Sequence, residues 1–291
     1  MKFSTKYQIK MIVILTALFM SGCQNSTENV TDTKKETLRI ISLSGTLTEI
    51  IHVLGEGDKI TAVDITSSYP EDMGDTKKLG HTSTIKAEGL ISLNPTHVLL
   101  EKGTIDENIV SQVESAGINV LIFEREYTVK GTKELIKEVA AQLNAEVNKN
   151  SFSEIDKKLA QVESLPNRPK ILFIYGRGAG NLMVAGENTA LQSVIELAGG
   201  QNAVSGFESF KPLSNEVLIE SNPDFILLFD SAKKSLNGME GILNIPGVGE
   251  TNAGKNKNIL FMDGQLVSGF GPRLGAAVYK LNQKLIQNFE S

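Results

Sequence analysis

The sequence predicts an α/β fold: two Rossmann-like lobes, each around a central, mainly parallel sheet, joined by one long helix. Three observations predict it. Short apolar runs alternate with helically spaced ones, one helix–Asn-Pro–strand unit recurs at a constant offset, and an amphipathic stretch without internal glycine or proline lies between the copies.

In chain order, Leu38 to Leu43 (LRIISL) reads as a buried strand ahead of Gly45. Residues 46–54 carry helical spacing at Leu47, Ile50, Ile51 and Leu54 and stop at Gly55, the residue type favoured just past a helix end. Ile60 to Ile65 reads as a second strand. Lys86 to Leu100 (KAEGLISLNPTHVLL) reads as a short helix, an Asn-Pro break and a strand, and Ile118 to Phe123 as one more strand after Gly117.

The second half repeats this. Lys170 to Tyr175 (KILFIY) reads as a strand, and residues 190–199 match 47–55 in spacing and glycine stop. Ser214 to Leu228 (SNEVLIESNPDFILL) aligns with 86–100 at an offset of 128 residues, pairing Glu88 with Glu216, Asn94 with Asn222 and Pro95 with Pro223. Between the halves, Leu135, Val139 and Leu143, then Ile155, Leu159 and Val162, keep an apolar stripe, predicting one long helix over 131–165 with room for a break near 148–151. Such a strut leaves little room for hinge closure, so a largely preformed cleft is expected. The expected organisation is a signal segment over 1–22, a tether over 23–37, an N-terminal lobe over 38–130, the linking helix, and a C-terminal lobe over 166–291.

The 291 residues carry a formal charge of −5, with 41% apolar and 22% charged residues, an ordinary foldable composition. The acidic balance argues against a nucleic-acid binder that neutralises phosphates. One cysteine excludes a disulfide framework and a multi-thiolate zinc site. Lys2, Lys6 and Lys10 precede a ten-residue apolar run, Met11 to Met20. A bilayer span needs about 20 such residues, so the run reads as an export signal. Met20-Ser21-Gly22-Cys23 looks like a bacterial lipobox, which is cut before Cys23 and lipidated there, palmitate included; ordinary cleavage leaving a free thiol is the alternative. Residues 24–37 are polar and aperiodic, as a flexible tether should be.

The lipobox, the paired lobes, the linking helix and the repeats together resemble the helical-backbone class of ABC-importer substrate-binding proteins, which carry haem, cobalamin and ferric siderophores. Within that class, Ser68-Tyr69-Pro70, Gly80-His81, Ala87-Glu88-Gly89, residues 182–186 (LMVAG), 198–203 (AGGQNA), 211–214 (KPLS) and 269–273 (GFGPR) resemble the haem-binding lipoproteins. The resemblance implies a lipid-anchored, non-enzymatic monomer on the outer face of the cell membrane. It would hold ferric haem and pass it to a permease dimer with ATPase subunits. A ferric-siderophore or cobalamin binder is the alternative; the lack of tryptophan counts mildly against cobalamin.

The resemblance places an axial ligand at His81, and ferric haem accepts imidazole or phenolate; a surface loop histidine is the other reading. It places a second ligand at Tyr175, where a strand ends, with Arg177 two residues on to support the phenolate by a charge-assisted hydrogen bond. The commoner pattern, a tyrosine at 81 with an arginine two residues later, is absent: that later position is Ser83. Tyr69 is expected near the cleft as support or rival ligand, and Met183 as a weak ligand or packing residue. Lys211 and Arg273 are expected to meet haem propionates. Glu88 and Glu216 are expected to dock on the permease; as helix N-terminal acids they also oppose the macrodipole. His52 and His97 read as structural or surface residues. No nucleophile elbow, HExxH or phosphate loop with lysine points to an enzyme.

Overall fold

The computed structural model describes residues 37–148, 150–165, 167–176 and 182–289; the signal segment, Cys23, nearly all of the tether and Arg177 lie outside them. The N-terminal lobe is one sheet of order β3-β2-β1-β4-β5. Its strands are β1 (Ile40–Ser42), β2 (Ile60–Val63), β3 (Lys77–Lys78), β4 (His97–Glu101) and β5 (Asn119–Phe123). Every pairing in it is parallel. Parallel strands need both faces covered, which is why they read as nearly continuous apolar runs. Ile40, Leu99 and Phe123 face α1 (Gly45–Val53) and α4 (Val129–Gln142) on one side. Ile41, Val98 and Leu100 share the other core with residues of α2 (Ala87–Ile91) and α3 (Glu107–Ser115).

The C-terminal lobe departs from an all-parallel sheet. Its path is β11-β10-β6-β7-β9, with β8 also pairing β6. The strands are β6 (Lys170–Gly176), β7 (Leu182–Ala185), β8 (Gln201–Asn202), β9 (Phe210–Pro212), β10 (Phe225–Phe229) and β11 (Ile259–Met262). The long β6 changes partner along its length: Lys170 and Ile171 pair β8 in parallel, whereas Ile174 to Gly176 pair β7 antiparallel, with Tyr175 opposite Met183. Helices α6 (Ala190–Leu197), α7 (Asn215–Ser221), α8 (Ala232–Ser235), α9 (Gly238–Leu243), α10 (Asn252–Lys255), α11 (Gly264–Gly269) and α12 (Leu274–Phe289) complete the lobe. Phe173, Phe225 and Leu227 are buried with Leu191, Val194 and Leu281 on one face, and Leu172, Ile174 and Ile226 on the other.

The repeat is visible in the backbone. Asn94 and Asn222 both adopt the left-handed region, at φ 46° and 37°, immediately before their prolines. Asparagine tolerates that conformation, and the following proline disfavours a right-handed helix, so the pair turns each helix sharply into its strand.

The expected single linking helix is two helices, α4 and α5 (Asn150–Leu159). Residues 143–148 are not helical, and Asn144 sits at φ 50° beyond the end of α4. Asparagine does here what glycine usually does, which a search for glycine or proline does not detect. The pair still ties the lobes. Val129 and Leu159 pack against the cores of both. Lys133 Nζ lies 2.7 Å from Asp156 across the break. Gly275 lets α12 approach α5, where a Cβ would stand 2.5 Å from the Ile155 carbonyl. Buried Asn282 then binds both the Glu163 and Ala198 carbonyls, at 2.8 and 3.1 Å. Among the described residues, no helix is long and apolar enough to cross a membrane.

Phe173 is fully buried and packs against Phe229 at 4.8 Å between ring centroids. Phe173→Ala is expected to cost about 3–5 kcal/mol through lost transfer energy and the cavity left behind. Urea denaturation of the two proteins measures it.

Candidate functional site

Both sheets aim the carboxyl ends of their parallel strands at one cleft, the place where open α/β sheets bind ligands. The cavity there is about 790 Å³. Its N-lobe wall comes from the residues that follow β1 and β2, from Glu101 at the end of β4, and from Arg125 after β5. Its C-lobe wall comes from Tyr175 and Gly176 at the end of β6, Phe229 at the end of β10, and Asp263 and Gly264 after β11.

Tyr175 is half-buried and meets Phe229 edge to face, 5.8 Å between centroids, so it stands on the cleft wall as expected. His81 is exposed and follows Gly80, whose φ of 87° turns the chain at the end of the β2–β3 ladder. Its neighbour Thr82 lines the cavity. The ring is held from one side: Nδ1 accepts from the Ser83 backbone N–H at 3.3 Å and lies 2.8 Å from Ser83 Oγ. An acceptor role for Nδ1 places the neutral ring's proton on Nε2.

The other expected site residues divide. Tyr69 is 42% exposed, precedes a cis Pro70, and lies flat on Arg273, whose guanidinium carbon is 3.7 Å from the ring centroid. Arg273 requires a correction: it does not line the cavity, and its guanidinium is taken up by Glu49, with Nε 2.9 Å from Oε2 and Nη2 2.5 Å from Oε1. Its geometry gives no support to a propionate contact. Lys211, in β9, also stands away from the cavity wall and lies over the Phe207 ring at 4.7 Å. Met183 is partly buried opposite Tyr175. Glu88 and Glu216 are both exposed in the first turn of their repeated helices, α2 and α7. The Glu216 carboxyl is held below its usual range by its own backbone N–H and the Ser214 hydroxyl. His52 packs away from the cleft against Gly57, where a Cβ would stand 2.1 Å from Nδ1, and burial lowers its pKa.

Sequence reasoning missed the polar floor of the cleft. Glu101 Oε2 lies 2.7 Å from Arg125 Nε, and its other oxygen accepts from the Ser44 hydroxyl. Arg125 also donates to Thr46 Oγ1 at 2.9 Å and, across the lobe boundary, to the Gly269 carbonyl. A signal was present: these are charged residues at or just past the ends of two apolar strands, where a parallel sheet opens to its cleft.

The lobes are joined beside the cavity as well. Gln265, on α11, donates to the Gly45 carbonyl at 2.9 Å and to Glu49 at 2.8 Å, and accepts from Ser68 N and Oγ at 2.6 Å each. Burial pushes the Glu49 carboxyl above its usual range, with Arg273 and Gln265 acting in the opposite direction and Asp263 adding to the rise. The folded chain therefore holds this proton more tightly than the unfolded chain does. The contribution of Glu49 to stability is full below the usual glutamate range and falls as pH rises through the raised value. Glu49→Gln is expected to flatten that part of the profile, as read from urea midpoints across a pH series.

Residues 40–266 match the family described as periplasmic binding protein. Among solved structures, the periplasmic haem-binding protein RhuT of Roseiflexus sp. RS-1, in its apo form, superposes with a TM-score of 0.80 at 33% identity, covering 87% of this chain and 99% of that one. The uncharacterized ABC transporter substrate-binding lipoprotein YvrC of Bacillus subtilis is 26% identical, over 94% of this chain and 95% of its own length. A vitamin B12-binding protein of Vibrio campbellii is 30% identical, over 74% of this chain and 79% of its own length.

Proposed function

This chain belongs to the periplasmic binding protein family, and from that premise we propose that it captures ferric haem in the cleft and delivers it to an ABC permease. The observation that carries the reading is Tyr175, a phenol on the cavity wall at the carboxyl end of β6, with Thr82 of the His81 turn lining the same cavity. His81 and Tyr175 are the proposed axial ligands, one from each lobe. Ligation through Nε2 requires the ring proton to move from Nε2 to Nδ1, where Ser83 Oγ, 2.8 Å away, accepts it in place of the Ser83 N–H contact. Ser83 thus steadies the imidazole at the position where the commoner pattern has an arginine. Arg177 is proposed to steady the Tyr175 phenolate, which ferric iron itself favours. Tyr69 stands outside the cavity wall and supports the rim through Arg273.

The cavity chemistry weighs on the alternatives. Among the described lining residues Arg125 is the one cation, and it is paired with Glu101; Asp64 and Asp263 add further acid. That wall suits a ligand with an apolar face better than a polyanionic ferric siderophore. Cobalamin is the second reading, favoured by the Vibrio campbellii relative. Exposed Glu88 and Glu216, carried on repeated helices, are the proposed contacts with two permease subunits, which work with ATPase subunits. Cys23 is the proposed lipid site, holding the protein as a monomer on the outer face of the cell membrane.

Titration of the mature chain, Cys23→Ser, with ferric haem is expected to give a saturable one-to-one Soret change. His81→Ala and Tyr175→Ala should each alter the band and weaken binding by at least about tenfold. An unchanged Tyr175→Ala with an altered Tyr69→Ala would move the second ligand to Tyr69. No saturable change with haem, but binding of cobalamin, would replace haem by the second reading. In cells, Cys23→Ser is expected to shift the protein from the membrane fraction to the medium or periplasm.

A further inference from the structure

Gly269 lines the cavity but Phe270 to Arg273 do not, and they border the one place where a nearly buried ion pair crosses between the lobes among the described residues. Glu49, on α1 of the N-terminal lobe, has a side chain only 4% exposed. Arg273, at the start of α12 in the other lobe, grips it with two parallel hydrogen bonds of 2.9 and 2.5 Å. Gln265 donates a third, and its amide oxygen accepts from both the backbone and the hydroxyl of Ser68. The Tyr69 ring covers the outer face of the guanidinium. Gly45 makes room for this approach, because a Cβ there would stand 2.7 Å from the Thr66 carbonyl and 3.0 Å from Gln265 Nε2.

We propose that Glu49 and Arg273, with Gln265 and the Tyr69 ring, form an interlobe clasp that sets the gape of the cleft. A planar guanidinium forked onto a carboxylate fixes both distance and orientation, which a hydrophobic contact does not. A buried pair of this kind contributes little net stability, because desolvation offsets the attraction, so its consequence is geometric. The placement supports this. Gln265 and Ser68 line the cavity while bonded to the clasp or to each other, so moving the clasp moves the cleft wall. Arg273 acts through Glu49 and Gln265 and is a positioning residue, not a ligand contact. The clasp rests on the two-lobe cleft and not on the identity of the cargo.

The test uses the mature chain with Cys23→Ser and one spin label in each lobe, at Gln112→Cys on α3 and Lys234→Cys on α8, both exposed. Without ligand, Glu49→Gln and Arg273→Met are expected to shift the interlabel distance distribution and broaden it, with native circular dichroism. Arg273→Lys, which keeps the charge and loses the fork, should give an intermediate distribution, and it serves if Arg273→Met does not fold. Lys59→Met, which removes an ion pair within one lobe, should leave the distribution as in the parent. In parallel, release of ferric haem to excess apomyoglobin should be at least about tenfold faster in Glu49→Gln, since a cleft whose gape is no longer fixed loses its cargo faster, and affinity changes fall mostly on dissociation. An unchanged distance distribution in the folded clasp variants overturns the proposal. Failure of the parent to bind haem overturns only the haem reading and leaves the distance measurement intact.

Discussion

A parallel sheet places all its strand ends of one kind along one edge. Its crossover helices cover both faces, so the loops at that edge are where side chains remain open to a ligand. The rest of this structure follows from that constraint, applied twice. Each lobe buries its strands on both faces, and each presents its carboxyl ends to the same cavity. Where the C-terminal sheet departs from parallel order, it does so beside the site: β6 is parallel to β8 at its start and antiparallel to β7 where Tyr175 stands. The hairpin partner pins the strand beyond the reach of its parallel neighbour. Tyr175 is thereby held on a rigid element, flanked by Phe229 and Met183.

The two proposed ligands are held by different means. Tyr175 is fixed by sheet pairing and ring packing. His81 is fixed by a short loop that Gly80 can turn at positive φ and by a ring contact to Ser83. Ligation through Nε2 needs Nδ1 to donate, and Ser83 Oγ is the acceptor within reach. The polar floor serves differently. Glu101 and Arg125 offset each other's charge, Ser44 and Thr46 are hydrogen-bonded to them, and Arg125 adds a hydrogen bond to the opposite lobe.

Lobe orientation is controlled at two sites of different chemistry. On one side α4, α5 and α12 share apolar packing, with Asn282 bridging two carbonyls in the interior. Such packing resists shear but has no single distance to enforce. On the other side, beside the cavity, Glu49, Gln265 and Arg273 join the lobes by directional bonds. A break in the linking helix therefore need not loosen the cleft, because the lobes are held at its edge too.

The sequence by itself determined the α/β fold class, the central strands and the repeat, because those depend on periodicity and on local backbone preferences. The Asn-Pro unit shows it best: residues 94–95 and 222–223 dictate their own turn, and both asparagines adopt the same left-handed conformation. Tyr175 was legible for a related reason, since the end of a parallel strand is a known address. Tertiary structure alone decided which charges are available. Arg273 looks like a cation offered to a ligand until α1 brings Glu49 against it, more than 200 residues away in the chain. Glu101 and Arg125 look like isolated surface charges until adjacent strands set them side by side. The sequence leaves room for a break in the linking helix near 148–151, but the helix already ends at residues 143–144, where Asn144 takes the left-handed turn. Contacts between distant segments have no period and no local propensity, so only the folded chain reveals them.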